Sequence, residues 1–257
     1  MVLLSFDIEE FDMPLEYQGD IPFEEQLKVS QEGLKNILKI LKKHQIKATF
    51  FSTVVFAENS QDLIHQLLSE GHELASHTWH HSKFEDADLK KSKEHLSSLF
   101  NTQVVGLRMP RMQPVKEEEV SEAGYLYNSS INPTFLPGRY NNLHFSKTYF
   151  KEGNVWQIPA SVSLLRVPLF WLSFHNFPIF IYQLLANYAL KRDGYLNIYF
   201  HPWEFSNISK KSYKLPSYTT KNTGELMIKR FDNFVSWLKN KGETFVTYKE
   251  FLAEKTK

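Results

Sequence analysis

The sequence predicts an α/β fold, a single domain of the β/α-barrel type. Short apolar runs alternate with stretches of helical periodicity along the chain, as they do in β/α proteins. The length, 257 residues, is one that such barrels commonly fill as one domain. Asp7, His77, Arg108 and His201 each fall directly after a predicted strand, the end of the strand at which barrel enzymes keep their chemistry. Parallel neighbouring strands would bring all four to one face.

Val2 to Phe6 is a short apolar run and reads as a buried strand. A helix is predicted from Gln26 to His44, where Leu34, Ile37, Leu38 and Leu41 repeat at helical spacing. Ala48 to Ser52 is the next strand. Asp62 to Glu70 is a helix stopped by Gly71, and His72 to Ser76 is a third strand that delivers His77 at its end. Asp86 to Phe100 reads as a helix, Val104 to Leu107 as a strand, and Lys116 to Glu122 as a short acidic helix ending at Gly124. Asn132 to Asn142, with two prolines and Gly138, reads as irregular and as a wall for a binding groove. Val155 to Ile158 and Leu196 to Phe200 are strands; helix Glu225 to Lys241, strand Phe245 to Thr247 and a short helix close the chain. Neither a repeat nor a linker divides it, so residues 1–257 read as one domain.

Composition narrows the function. With 30 basic and 29 acidic residues spread along the chain, there is no basic stripe for a nucleic acid, and a neutral or locally recognised substrate fits better. The absence of cysteine excludes disulfides and thiolate ligands, which leaves His, Asp and Glu to hold any metal. The first residues lack a basic n-region and a long apolar run, so the expectation is a cytoplasmic protein. Val167 to Leu190 is apolar and aromatic, but Pro168, Pro178, His175, Asn176, Gln183 and Asn187 interrupt it. It reads as a buried helix or an apolar lip near the site rather than a membrane span.

Two clusters carry metal chemistry. In His77-Thr78-Trp79-His80-His81, a helical turn would put the imidazoles of His77 and His81 on one face, close enough to share an ion. His80 is the competing, weaker choice, and a metal-free surface cluster is the plain alternative. In Asp7-Ile8-Glu9, a continued strand puts both carboxylates on one side. One could then bind a metal while the other takes a proton from water. Here the plain alternative is a solvated acidic loop through Glu9, Glu10 and Asp12.

Five blocks taken together resemble the polysaccharide deacetylase family, carbohydrate esterase family 4 with the NodB-homology domain. They are Ser-Phe-Asp-Ile-Glu at 5–9, Ala-Thr-Phe-Phe-Ser at 48–52, Gly-His-Glu-Leu-Ala-Ser-His-Thr-Trp-His-His at 71–81, Leu-Arg-Met-Pro at 107–110 and Ile-Tyr-Phe-His-Pro-Trp-Glu at 198–204. They stand in the family's order over nearly the whole chain. The resemblance implies a distorted (β/α)7 TIM-like barrel and one divalent metal ion, zinc first, with cobalt or nickel as alternatives. The usual first motif has adjacent aspartates; Asp7-Ile8-Glu9 is similar to the branch with D-x-[D/E]. Carried over, Asp7 is the catalytic base, Glu9, His77 and His81 the metal ligands, and Thr78 the residue that hydrogen-bonds within the loop, though Asp7 and Glu9 are exchangeable. Arg108 matches the arginine that orients the base through a bidentate contact. His201 matches the general acid, Trp203 lines the acetyl pocket, and Arg111, which replaces an aromatic residue, offers a backbone N–H to the oxyanion.

The fourth-motif aspartate that usually keeps the acid histidine protonated has no counterpart. Between Arg139 and Arg192 the only acid is Glu152, and Gln157 to Ser161 offers no carboxylate. Either Glu204, Glu152 or the substrate then tunes His201, or the acid step is weaker than usual. The reaction implied is metal-assisted hydrolysis of an N-acetyl group on a saccharide, with a lipid-linked or nucleotide-linked precursor as reasonable as a finished polymer and with peripheral membrane contact a corollary. Rivals are an O-acetyl esterase or a hydrolase of another non-peptide C–N bond on the same scaffold, and a carbohydrate-binding protein without turnover.

Overall fold

The computed structural model describes residues 1–256; Lys257, the last residue of the predicted domain, lies outside the described residues. Its strands are β1 (Val2–Ile8), β2 (Thr49–Ser52), β3 (Glu73–Ser76), β4 (Gly106–Leu107), β5 (Tyr127–Asn128), β6 (Phe135–Leu136), β7 (Tyr140–Asn141), β8 (Phe150–Glu152), β9 (Val155–Gln157), β10 (Leu196–Phe200) and β11 (Phe245–Val246). Parallel ladders join β10, β1, β2, β3, β4, β5 and β9 in that order. The result is a curled parallel sheet flanked by helices, an α/β fold. No ladder joins β9 to β10; the gap is bridged by Ser161 N–H donating to the Asn197 carbonyl (2.8 Å) and by Asn197 Nδ2 donating to the carbonyls of Ile158 (3.2 Å) and Pro159 (2.9 Å). β8 lies antiparallel on β9, and β11 pairs with the start of β1.

Strand alternation sorts β1 into two faces. Val2, Leu4, Phe6 and Ile8 pack outward into the main core under the helices, while Leu3 joins Phe51, Ala75, Tyr127 and Tyr248 inside the curl. Asp7 therefore points inward, and β1 extends past the predicted Phe6 to Ile8 and presents it.

The predicted helix from Gln26 begins a turn earlier, at Phe23, because Pro22 (φ −61°, ψ 147°) supplies an extended entry residue. Its buried stripe, Leu27, Leu34, Ile37, Leu38 and Leu41, lies on the core. At Gly33 a Cβ would sit 1.7 Å from the Pro202 carbonyl oxygen, so this helix backbone touches the turn that follows β10. Asn36 Nδ2 donating to the Phe205 carbonyl (3.2 Å) and Ser206 Oγ donating to the Val29 carbonyl (2.7 Å) tie the same two pieces.

Two expectations are corrected. The apolar stretch 167–190 is not one buried helix: Trp171–Asn176 and Ile179–Asp193 are separate helices, divided at Phe177-Pro178 because proline cannot donate to the helical ladder. The second buries Tyr182, Ala186, Ala189 and Leu190 but exposes Phe180, Leu184 and Tyr188. The segment 132–142, predicted irregular, holds the antiparallel pair β6–β7, turned at Gly138 (φ 78°). No helix among the described residues is long and apolar enough to cross a membrane.

Candidate functional site

The candidate site opens beyond the ends of β1, β3, β4 and β10. Ligand atoms of Glu9, His77 and His81 lie within 4.8 Å of one another. His77 Nε2 is 3.0 Å and His81 Nε2 3.3 Å from the same Glu9 oxygen, Oε2. The other ring nitrogens are fixed from behind. His77 Nδ1 donates to the Arg108 carbonyl (2.8 Å), and His81 Nδ1 donates to Asp12 Oδ1 (2.7 Å). Such outer contacts hold the tautomer and aim Nε2 inward, as they do behind metal-ligating histidines.

Charge fits the same description. Burial raises the Glu9 carboxyl, but His81, His77 and His201 around it prevail and carry it down to about 2. Burial lowers the His81 imidazole, yet Glu9 and Asp12 lift it to about 9. Two carboxylates facing two imidazoles attract positive charge, and the nitrogen and oxygen donors suit a first-row divalent ion. The residues present fit the metal.

The histidines do not meet through a helical turn, as their i, i+4 spacing suggested. His77 N–H continues the sheet by donating to the Ser52 carbonyl (2.8 Å), and Thr78 then turns left-handed (φ 64°) into a loop. The two rings stack with centroids 6.0 Å apart. Thr78 is fully buried and holds that loop by donating from Oγ1 to the His80 carbonyl (3.2 Å); it does not line the cavity. His80 is exposed and outside the cluster. The acidic run is not a solvated loop either: Glu9, Glu10 and Asp12 are all buried, and Glu10 accepts from Thr53 Oγ1 (2.6 Å).

Asp7 stands beside the cluster, held by Arg108. The guanidinium is fully buried and gives Asp7 Oδ1 one short contact (2.6 Å) rather than the bidentate pair expected. The rest of its fork is committed elsewhere: Nη1 also donates to Ser5 Oγ (3.0 Å), Nε to the Ser129 carbonyl (3.0 Å) and Nη2 to Ser129 Oγ (3.0 Å) and Tyr248 Oη (2.8 Å). This leaves Asp7 Oδ2 facing the cavity, 3.9 Å from His201 Nε2.

His201 opens the 3-10 turn Pro202–Phe205, whose sequence His-Pro-Trp-Glu acts as a capping box: the Glu204 carboxylate folds back to accept from the His201 backbone N–H (2.6 Å). The same oxygen accepts from His201 Nδ1 (3.0 Å). Of the two carboxylates that could tune His201, Glu204 is the one in contact; Glu152 instead accepts from Gln157 Nε2 (3.0 Å). Burial lowers the His201 imidazole, but the Glu204 hydrogen bond and the charges of Glu9, Glu204 and Asp7 raise it above its ordinary range. Trp203 is buried and stacks on His201 at 5.0 Å, with Trp171 edge-on to it at 5.1 Å.

These groups line a cavity of about 350 Å³, within the range of small-molecule pockets. Asp7, Glu9, His77, His81, Arg111, His201 and Trp203 all reach it, with Phe170, Trp171, Tyr199 and Tyr140 as aromatic walls. Arg111 is left-handed (φ 56°), and its side chain pairs with Glu16 (2.8 Å) and Asp12 (3.4 Å). Sequence reasoning held Trp171, within the apolar stretch 167–190, as either core packing or an aromatic face for a sugar or a lipid carrier, and assigned no role to Asp12, Glu16 or Tyr199. Asp12 had a signal, an acid five residues beyond Asp7 on the same strand exit; the others had none.

Two imidazoles and a carboxylate thus form a group that could hold a metal ion. The sequence model of the polysaccharide deacetylase family matches residues 2–125. An uncharacterized 30.6 kDa protein of Geobacillus stearothermophilus is 32% identical over 88 residues, 32% of this chain and 33% of that protein. A chitooligosaccharide deacetylase of a Bradyrhizobium species is 39% identical over 46 residues, 18% of this chain and 21% of that protein. The aligned stretch spans about a third of the first relative and less of the second. A probable polysaccharide deacetylase from Pseudomonas aeruginosa PAO1 superposes with a TM-score of 0.71 at 14% identity, covering 98% of this chain and 89% of that one. The Puue allantoinase structure gives 0.67 at 15%, covering 97% and 87%. By sequence the likeness to the polysaccharide deacetylase family spans residues 2–125, just under half of the chain, and the likeness in fold to the solved structures extends over nearly all of it.

Proposed function

We propose that the chain is a metal-dependent N-deacetylase of an N-acetylated saccharide or saccharide precursor, releasing acetate and a free amine. The observation that carries this reading is the convergence of Glu9, His77 and His81 beside Asp7 and His201 in one aromatic-walled cavity. Glu9, His77 and His81 would hold one divalent ion, zinc in the first place. When bound, such an ion polarises an acyl carbonyl and acidifies water.

The chain's own residues supply the proton chemistry. Asp7, clamped by Arg108 at one oxygen, accepts a proton from the attacking water through its free Oδ2. The water oxygen adds to the acetyl carbon; when the C–N bond breaks, its electron pair stays on nitrogen. His201, with Nε2 facing the cavity, donates the proton that nitrogen needs. Trp203, Trp171 and Tyr199 exclude water around the acetyl methyl and offer faces to a sugar ring. Single-domain organisation over 1–257 belongs to the same proposal.

Acetate release from N-acetylglucosamine oligomers, with and without a chelator, tests it. The expected result is release that stops with chelator and returns with zinc. O-acetylated xylan and a cyclic ureide, run alongside, read out the esterase and C–N hydrolase rivals, and saccharide binding without release from any substrate would replace the enzyme by a binding protein.

A further inference from the structure

Behind His201 lies a second buried histidine that the reaction described above does not use. His175, in the helix Trp171–Asn176, is fully buried, and so is Glu204. His175 Nε2 donates to Glu204 Oε2 (2.7 Å), and its Nδ1 donates to the Lys221 carbonyl (2.7 Å). Both ring nitrogens are thus engaged, one by the Glu204 carboxylate and one by a backbone carbonyl. Asn222 Nδ2 donating to the His175 carbonyl (2.7 Å) ties the same helix to the segment that carries Lys221.

Glu204 therefore splits its two oxygens. Oε2 is taken by His175, and Oε1 takes the N–H and Nδ1 of His201. With Nδ1 engaged, the remaining nitrogen of His201 is the one that faces Asp7 across the cavity. The other groups around the ring do not compete for Nδ1: Trp203 stacks on its face, and Trp171 and Tyr199 meet it edge-on. A carboxylate desolvated this far is costly unless fully hydrogen-bonded, and His175 completes the bonding.

We infer that His175 and Glu204 are positioning residues for the general acid, a buried His–Glu pair that does the work of the carboxylate absent from the segment after β9. The inference rests on the deacetylase reading. Glu204 fixes the ring of His201 so that Nε2 carries the proton toward the leaving nitrogen, and His175 fixes Glu204. Glu204→Gln keeps the shape but turns an amide N–H₂ toward either His175 or His201, which breaks one of the two contacts.

Leaving-group dependence separates this role from a merely structural one. An N-acetylglucosamine oligomer leaves as an amine and needs a delivered proton; 4-nitrophenyl acetate leaves as a stable phenolate and does not. Glu204→Gln is expected to lower kcat on the amide about 100-fold, with KM unchanged and ester hydrolysis near wild type. His175→Gln is expected to show the same selective loss, smaller in size, and Glu204→Asp to restore part of the amide rate. Equal losses on both substrates, or no loss on either, would overturn the assignment. Should the variants fail to fold, nitrogen-15 spectra of the wild-type imidazoles decide: neutral His201 protonated at Nδ1 supports it, and protonation at Nε2 alone refutes it. A wild-type chain that releases no acetate from the amide while hydrolysing the ester would instead sink the deacetylase reading itself, and this inference with it.

Discussion

On the ligand side of the cavity, Glu9 and His77 sit just past parallel strands and His81 in the loop beyond β3, and the histidines are backed from other strand exits: the Arg108 carbonyl, past β4, behind His77, and Asp12, past β1, behind His81. The acid side is made differently. His201 is oriented by a residue three positions away in its own turn, and that residue is held by a histidine from a separate helix. Sheet ladders dictate the first arrangement, whereas local capping and helix packing dictate the second. The cage should therefore tolerate changes that disturb helix packing, and the acid should not.

The largest expected effect probes the border of the two sides. Asp7→Asn keeps the shape and the Arg108 contact but removes the base, so kcat should fall by about 10²–10⁴-fold. Metal content, read by elemental analysis, should stay at the wild-type level; a variant that loses its metal would make Asp7 a ligand and exchange its role with Glu9.

Next, Asp12→Asn removes the carboxylate behind His81, and metal affinity should drop about 10- to 100-fold. Activity should recover at saturating metal, as a competition titration against a chromogenic chelator would reveal. An unchanged affinity would reduce Asp12 to a loop contact.

Gly33→Ala strikes only the acid side. The new Cβ meets the Pro202 carbonyl at 1.7 Å, so the turn carrying His201 and Glu204 must shift. Such overpacking costs about 1–3 kcal/mol or more, and denaturant melts should register it. Turnover should fall while metal affinity holds; parallel losses would deny that the two sides are separable.

The smallest effect on turnover, none at neutral pH, belongs to a pH dependence of stability remote from both sides. His72 Nδ1 accepts the Ala48 N–H (3.2 Å), and burial lowers this imidazole to about 4. Unfolded, it takes its proton near the ordinary 6.5, so between those values the unfolded state binds more protons. Its contribution is complete above pH 6.5 and is lost as pH falls toward 4, on the order of 3 kcal/mol at the limit. His72→Gln should flatten that part of a urea midpoint-versus-pH curve, and an unaltered curve would assign the acid sensitivity elsewhere.

The same contrast decides what could be read in the sequence. β1, β2, β3 and β10 announce themselves as apolar runs, and with the shorter predicted run Val104 to Leu107 they put Asp7, His77, Arg108 and His201 at one end of the sheet, so the face these share is legible. β4 keeps only the last two residues of the predicted Val104 to Leu107, and β5, two residues long, carries no periodicity of its own; tertiary pairing makes it a strand. The left-handed Thr78 is invisible in a His-x-x-x-His spacing, which is why a helical turn was expected there. His175 lies in an apolar stretch that reads as core, and only the packing of its helix against the turn after β10 shows what it touches.

The account stands or falls on the cage. Zinc titrated into chelator-stripped protein, with bound ion and acetate release followed together, tests it most directly. The prediction is that both rise in step and level off at one ion per chain, and that His81→Ala abolishes both. Full acetate release from metal-free protein, or from His81→Ala, would contradict it.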